Sequence, residues 1–436
     1  MKRKLLLASA LAIALGSLAS CSFIFNYVVP SYPGDNGGIG EDTGVEDAGT
    51  YNIRIWCDER IVNLTKTQVG NFVNQAKDEN GNQKYKINLS IDASGEDKTA
   101  ASMLEDVQNG ADIYVFAQDQ LAKLQKGGAL APISGAMEAA VKRETEQVGI
   151  DAATINKKLY AFPFTSDNGY YLMYDKSIIP DDKVQNIEDI VSICEQKNKI
   201  FNYPVFANGF YSASYFMSKG LDCESIWEID ASNKFSGYVD TYNTEKGFIA
   251  AKGIREIRKH ASVFGNDDLP GKFGNGLAAC VTGSWNYPVA EKLLGANLGC
   301  APMPYFTVDG QRYHISSFSG YKLIGVKPQT DPKKVSVCKR IARYLSNQVC
   351  QLERFAAVNW GPSNIADLQN PTVMSSPGLK ALRDQQEYSK PQRQCPSSWF
   401  STLSSMVGSI EATSTDSELR AALKLYELNL ETMIGD

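Results

Sequence analysis

The 436-residue chain is 43% hydrophobic and 21% charged, with a formal net charge of −5. That balance supplies enough apolar side chains for a sizeable core and excludes a charge-dominated disordered polymer. The acidic sign and the lack of any long basic run argue against a nucleic-acid partner.

In chain order, Lys2, Arg3 and Lys4 come first, followed by an apolar run from Leu5 to Leu18. The run falls short of the roughly 20 apolar residues that span a bilayer, and its charge-then-apolar order is that of a secretory signal. It ends in Leu18-Ala19-Ser20-Cys21, which resembles the lipobox of bacterial lipoproteins. The resemblance implies a leader over 1–20 and an acylated Cys21 that holds the protein outside the cell on its membrane. An ordinary signal peptide with a chance cysteine is the competing reading. Ser31 to Gly49 is rich in glycine and acids and poor in large apolar groups. Such a stretch does not offset its own ordering entropy, so 21–50 reads as a lipidated cysteine and a flexible tether.

Next come alternating strand and helix patterns. Tyr51 to Cys57 and Tyr85 to Ile91 alternate apolar and polar as strands do, and Ala111 to Ala117 reads as a buried strand. Between and after them, Thr65 to Ala76, Ala100 to Asn109 and Asp119 to Gly128 carry helical spacing, the last with a glycine stop. The alternation predicts an α/β fold with a mainly parallel sheet, and ligands in such folds bind beyond the carboxyl ends of the strands. Cys57 to Glu59 and Ala117 to Gln120 stand at those ends.

Besides Cys21 there are eight cysteines, with no Cys-x-x-Cys and only two histidines, His260 and His314. A zinc site is therefore not expected. Disulfides are compatible with an extracytoplasmic setting, and Cys280 and Cys300 lie in neighbouring apolar runs able to face each other.

Phe162 to Ser177, FPFTSDNGYYLMYDKS, crowds aromatic rings around Asp167 and Asn168. Sugars want that mixture, because their faces are apolar C–H and their rims are hydroxyl. The same stretch carries a family resemblance. Lys158 to Pro180 and the strand–helix segment Ala111 to Ile133 resemble maltose-binding and related family 1 solute-binding proteins of ABC importers. So do Phe273 to Asn286, Ala301 to Pro328, Ala342 to Asn364 and Cys395 to Val407, in the family's order. The resemblance implies a two-lobe periplasmic-binding-protein fold of type II, with a hinge and an interlobe ligand cleft. One lobe takes 51–164 plus 318–355, the other 165–317 plus 356–436, with hinges near Phe164, Phe318 and Ala357. It further implies an oligosaccharide ligand, most simply a maltodextrin-type α-glucan, an ABC permease partner, a monomer, and no cofactor or metal.

Carried over position by position, the family's ligand contacts fall on Asp58, Glu59, Phe116, Asp119, Asp167, Asn168, Tyr170, Tyr211, Trp285, Trp360 and Trp399. Asp58 and Glu59 are alternatives within a residue of register, as are Asp167 and Asn168. Trp360 is either site or hinge packing. Tyr170 and Tyr171 point to opposite sides of an extended chain, one toward the site and one toward the core. Gln120 and Phe116 replace an Arg and a Trp of the maltose-binding pattern, which puts maltose itself in doubt more than carbohydrate. A glycoside hydrolase needs two carboxyls facing each other at a set separation, whereas the carboxylates here are dispersed. A surface adhesin would not need hinge-like crossings.

Overall fold

The computed structural model describes residues 45–265 and 270–435. The expected leader, Cys21 and the tether up to residue 44 lie outside the described residues.

Two five-stranded sheets organise the chain. The first runs in the order Tyr85–Ala93, Gly49–Cys57, Ile113–Ala117, Lys322–Val326, Ala161–Thr165. The second runs Val263–Phe264, Ile200–Asn202, Leu277–Thr282, Tyr171–Asp175, Leu298–Ala301. Each has its own apolar core, and the first draws on both an early stretch of chain and Tyr321 to Trp360.

The sheets are mixed rather than mainly parallel. Lys322–Val326 enters the first sheet antiparallel to both neighbours, and Tyr171–Asp175 does the same in the second. Both strands follow a passage from one sheet to the other, so their direction is set by the crossing rather than by a βαβ return. The chain passes between sheets at 165–171, at 301–322 and again after Val358.

The early strands match their sequence pattern to within two residues, and the helix Val62–Gln75 buries Thr65, Gln68, Val69 and Phe72 on one face. The helix expected over Ala100 to Asn109 is shorter, Thr99–Glu105. Asp309 and Gly310 adopt φ of 51° and 81° and close the hairpin between Tyr305–Val308 and Gln311–His314, as the Asp-Gly pair requires.

Cys280 and Cys300 cannot pair in this fold. Both stand opposite Met173, on the strands flanking it. Two strand spacings separate them by roughly 9–10 Å, beyond the ~7 Å Cα limit for a disulfide. All eight cysteines of the described chain are free thiols, and most are buried.

The first strand is fixed at its entry by Asp47, which is 0% exposed. Its carboxylate accepts hydrogen bonds from Tyr85 Oη at 2.8 Å, Ser336 Oγ at 2.5 Å and Arg340 Nε at 2.9 Å, and ion-pairs with Lys84 at 3.0 Å. A buried carboxylate persists only when so paired.

Candidate functional site

At the carboxyl end of Gly49–Cys57 the chain makes a short helical turn. There Asp58 accepts from the Arg60 backbone at 2.9 Å and grips the guanidinium as a fork, with Nε to Oδ1 at 2.8 Å and Nη2 to Oδ2 at 2.7 Å. Burial works to raise the Asp58 carboxyl, but the Arg60 fork outweighs it and holds the group below the usual carboxylate range. The other arm of Arg60 reaches across the gap between the sheets. Its Nη1 donates to the Trp285 carbonyl at 2.5 Å, joining residues 225 apart in sequence. Glu59 beside it is exposed.

Trp285 follows Leu277–Thr282 in a turn where Gly283 is required. A Cβ there would meet the Trp285 ring at 2.1 Å, so the indole lies folded over the glycine, half-buried. Ser284 donates its hydroxyl to Asp167 Oδ2, and the Gly361 amide donates to the same oxygen at 2.9 Å. Asp167 thus ties the first crossing to the turn before Trp285 and to the third crossing. Asn168 is engaged elsewhere: its Nδ2 donates to Gln392 Oε1 at 2.7 Å.

Trp360 is 1% exposed and carries two cations near its ring, Lys322 Nζ at 3.9 Å and the Arg60 guanidinium at 5.4 Å. Lys322 Nζ also stands 5.7 Å from the Trp285 ring. Neither Arg60 nor Lys322 was legible as a site residue. Arg60 sits one position past the acidic pair, and Lys322 reads as the polar first residue of a strand.

Several buried polar atoms here have no hydrogen-bond partner within the protein: Thr165 Oγ1, Asp167 Oδ1, Lys322 Nζ and Trp360 Nε1. All four belong to the crossings or to the strands that adjoin them. Buried polar groups are almost always satisfied, so a concentration of such atoms at one junction marks a place that takes up polar partners. A cavity of about 370 Å³ adjoins it, lined by Ser166, Asp167, Gly320, Tyr321, Gly361 and Pro362 among others. That is the size range of small-ligand pockets.

Asp119 sits at the end of Ile113–Ala117, buried, with its Oδ1 unpartnered within the protein. Burial pushes its carboxyl up to about 6, with Lys123 opposing. Gln394 covers this corner, accepting from the Ala122 amide at 2.8 Å and donating to the Gln118 carbonyl at 2.6 Å.

The remaining expected rings lie in the cores. Phe116 is fully buried in the first core, 5.6 Å from Tyr114. Tyr170 and Tyr211 pack on each other at 4.7 Å in the second. Tyr170 and Tyr171 do face opposite ways, but both are fully buried, because Tyr171–Asp175 is covered on both faces. Trp399 is 4% exposed and donates its indole N–H to Tyr426 Oη at 3.1 Å. The structure therefore brings together Asp58, Asp167, Trp285 and Trp360, places Asp119 nearby, and sets Phe116, Tyr170, Tyr211 and Trp399 apart.

Among the described residues no cluster of three His, Cys, Asp or Glu side chains is arranged to hold a metal ion, and no helix is long and apolar enough to cross a membrane.

Residues 72–381 match the protein family described as bacterial extracellular solute-binding protein. Several solved structures share the fold. Maltodextrin binding protein MalE1 from L. casei BL23, without ligand, superposes with a TM-score of 0.74 at 19% identity, covering 88% of this chain and 99% of that one. The maltose/maltodextrin-binding domain MalE from Bdellovibrio bacteriovorus, bound to maltotriose, gives 0.71 at 16% identity, covering 88% and 99%. The maltose-maltodextrin binding protein of Alicyclobacillus acidocaldarius gives 0.69 at 16% identity, covering 87% and 100%.

Proposed function

This chain belongs to the bacterial extracellular solute-binding proteins, and from that premise we propose that it captures an oligosaccharide between its two lobes and delivers it to an ABC permease. The observation that carries the reading is the set of unpartnered buried polar atoms on the crossings, next to the half-buried Trp285. Sugar hydroxyls supply both donors and acceptors to such atoms, and a ring face supplies the apolar contact. The maltodextrin and maltotriose named for proteins of the same fold favour an α-glucan fragment. The proposed contacts are Asp58, Asp119, Asp167 and Trp285, with Glu59 and Asn168 at the margin. No bond is broken in this reading, so no catalytic group is assigned.

The test is a thermal-unfolding screen of the purified chain against maltotriose, cellotriose and xylotriose. A ligand at about 100 times its dissociation constant stabilises by roughly 2.7 kcal/mol, so maltotriose is expected to raise the melting temperature most. No shift with any of the three sugars would sink the reading. Closure of the lobes about the crossings is expected on binding, seen as a smaller radius of gyration in solution scattering.

We propose further that Cys21 is acylated and tethers the protein to the outer face of the cell membrane, on the strength of the Leu18 to Cys21 pattern. Cys21→Ala is expected to abolish fatty-acid labelling and release the protein from the membrane fraction. Persistent labelling of the variant would refute it.

A further inference from the structure

We infer that Lys322 sets specificity at the crossings between the two sheets: its ammonium donates to one hydroxyl of a vicinal diol on the bound sugar while Asp167 accepts from the neighbouring hydroxyl. This rests on the carbohydrate reading above and goes beyond it by naming the residue and the functional group it selects.

The strand Lys322–Val326 begins where Ile113–Ala117 ends, with Lys322 opposite Ala117 on one side and Thr165 on the other. Its pairing with Ala161–Thr165 slips between Lys322 and Leu323. Irregularities of this kind re-aim a side chain and recur beside active sites. Here the slip sits at the lysine itself.

The side chain is 0% exposed, and its ammonium, with three N–H donors, has no hydrogen-bond partner in the protein. Glu96 Oε1 stands 3.3 Å away but does not meet hydrogen-bond geometry. A lysine kept only for a structural ion pair would be expected to close that bond, since a buried charge left poorly paired is expensive. Besides the Glu96 charge, the ammonium lies against the Trp360 face at 3.9 Å. That contact decides the role of Trp360: its face carries the lysine, and Trp285 is left as the ring for stacking on the ligand.

The charge balance decides what the lysine grips. Arg60 is spent on Asp58 and on the Trp285 carbonyl. The groups left with open capacity are two donors, Lys322 Nζ and Trp360 Nε1, one acceptor, Asp167 Oδ1, and the Thr165 hydroxyl, which can do either. A carboxylate on the ligand would suit Lys322 but meet the Asp167 charge, and an amine would meet the reverse conflict. A pair of adjacent hydroxyls suits both, because each hydroxyl accepts as well as donates.

The experiment is titration calorimetry of the wild-type chain and Lys322→Met with maltotriose, cellotriose and xylotriose, beside thermal unfolding of both proteins. Methionine keeps the length and apolar stem and removes the charge. The expected result is at least a tenfold loss of affinity with an unchanged or higher melting temperature. Affinity within twofold of wild type overturns the inference and leaves the carbohydrate reading standing. A wild-type chain that binds none of the three sugars overturns both. If Lys322→Met lowers stability and affinity together, singly deoxygenated analogues of the bound sugar decide. One analogue that costs wild type affinity but costs Lys322→Met nothing more supports the direct contact, whereas additive losses for every hydroxyl overturn it.

Discussion

Trp399→Ala is expected to cost about 3–5 kcal/mol of folding stability, read as a lower denaturant midpoint. The indole fills the second core between Phe318 and Phe400 and donates to Tyr426, so truncation leaves a cavity and strips the Tyr426 hydroxyl of the donor it accepts from, leaving only its bond to Asp240. The folded fraction should keep its ligand affinity. Trp285→Ala should do the opposite, because that ring is half-buried and lies over Gly283 rather than within a closed core. There the expected result is a loss of affinity of tenfold or more, with stability changed by about 1 kcal/mol or less. If Trp399→Ala instead folded normally and lost binding, the division between core and site described above would be wrong.

Asp47→Ala is expected to cost about 3 kcal/mol, because it leaves Arg340 and Lys84 without the carboxylate they share. The loss should depend on pH with a definite sign. Burial works to raise the Asp47 carboxyl, but the hydrogen bonds from Ser336, Lys84 and Tyr85 and the charge of Arg340 outweigh it and leave the group below its ordinary value. A carboxyl depressed in the folded state stabilises fully above its unfolded pKa of about 3.9 and loses that contribution as pH falls through the folded value. The stability gap between wild type and Asp47→Ala should therefore be full at pH 6 and shrink below about pH 4. A gap that stayed constant from pH 6 to pH 3 would show that Asp47 acts through packing rather than charge.

The sequence carried the fold further than the site. Strand alternation and the Asp309-Gly310 turn are local signals, and the structure follows them. Alternation fails at Tyr170 and Tyr171 because it separates faces, and Tyr171–Asp175 has core on both. The chemistry of the junction comes from pairs remote in sequence, Arg60 with Trp285 and Lys322 with Glu96 and Trp360. No spacing rule reaches that far. Trp399 shows the same limit from the other side: its segment sits where the family pattern predicts, but its burial depends on Tyr426, 27 residues later.

The antiparallel strand Lys322–Val326 lies between Ile113–Ala117 and Ala161–Thr165, and the latter has no other partner in its sheet. A nascent chain that has emerged only as far as residue 321 thus holds an incomplete first sheet, with Ala161–Thr165 unpaired and one edge of Ile113–Ala117 open. Closing that gap requires a contact between residues about 160–210 positions apart, and such long-range pairings form slowly. A first lobe built this way cannot complete its sheet until the chain has been made as far as residue 326.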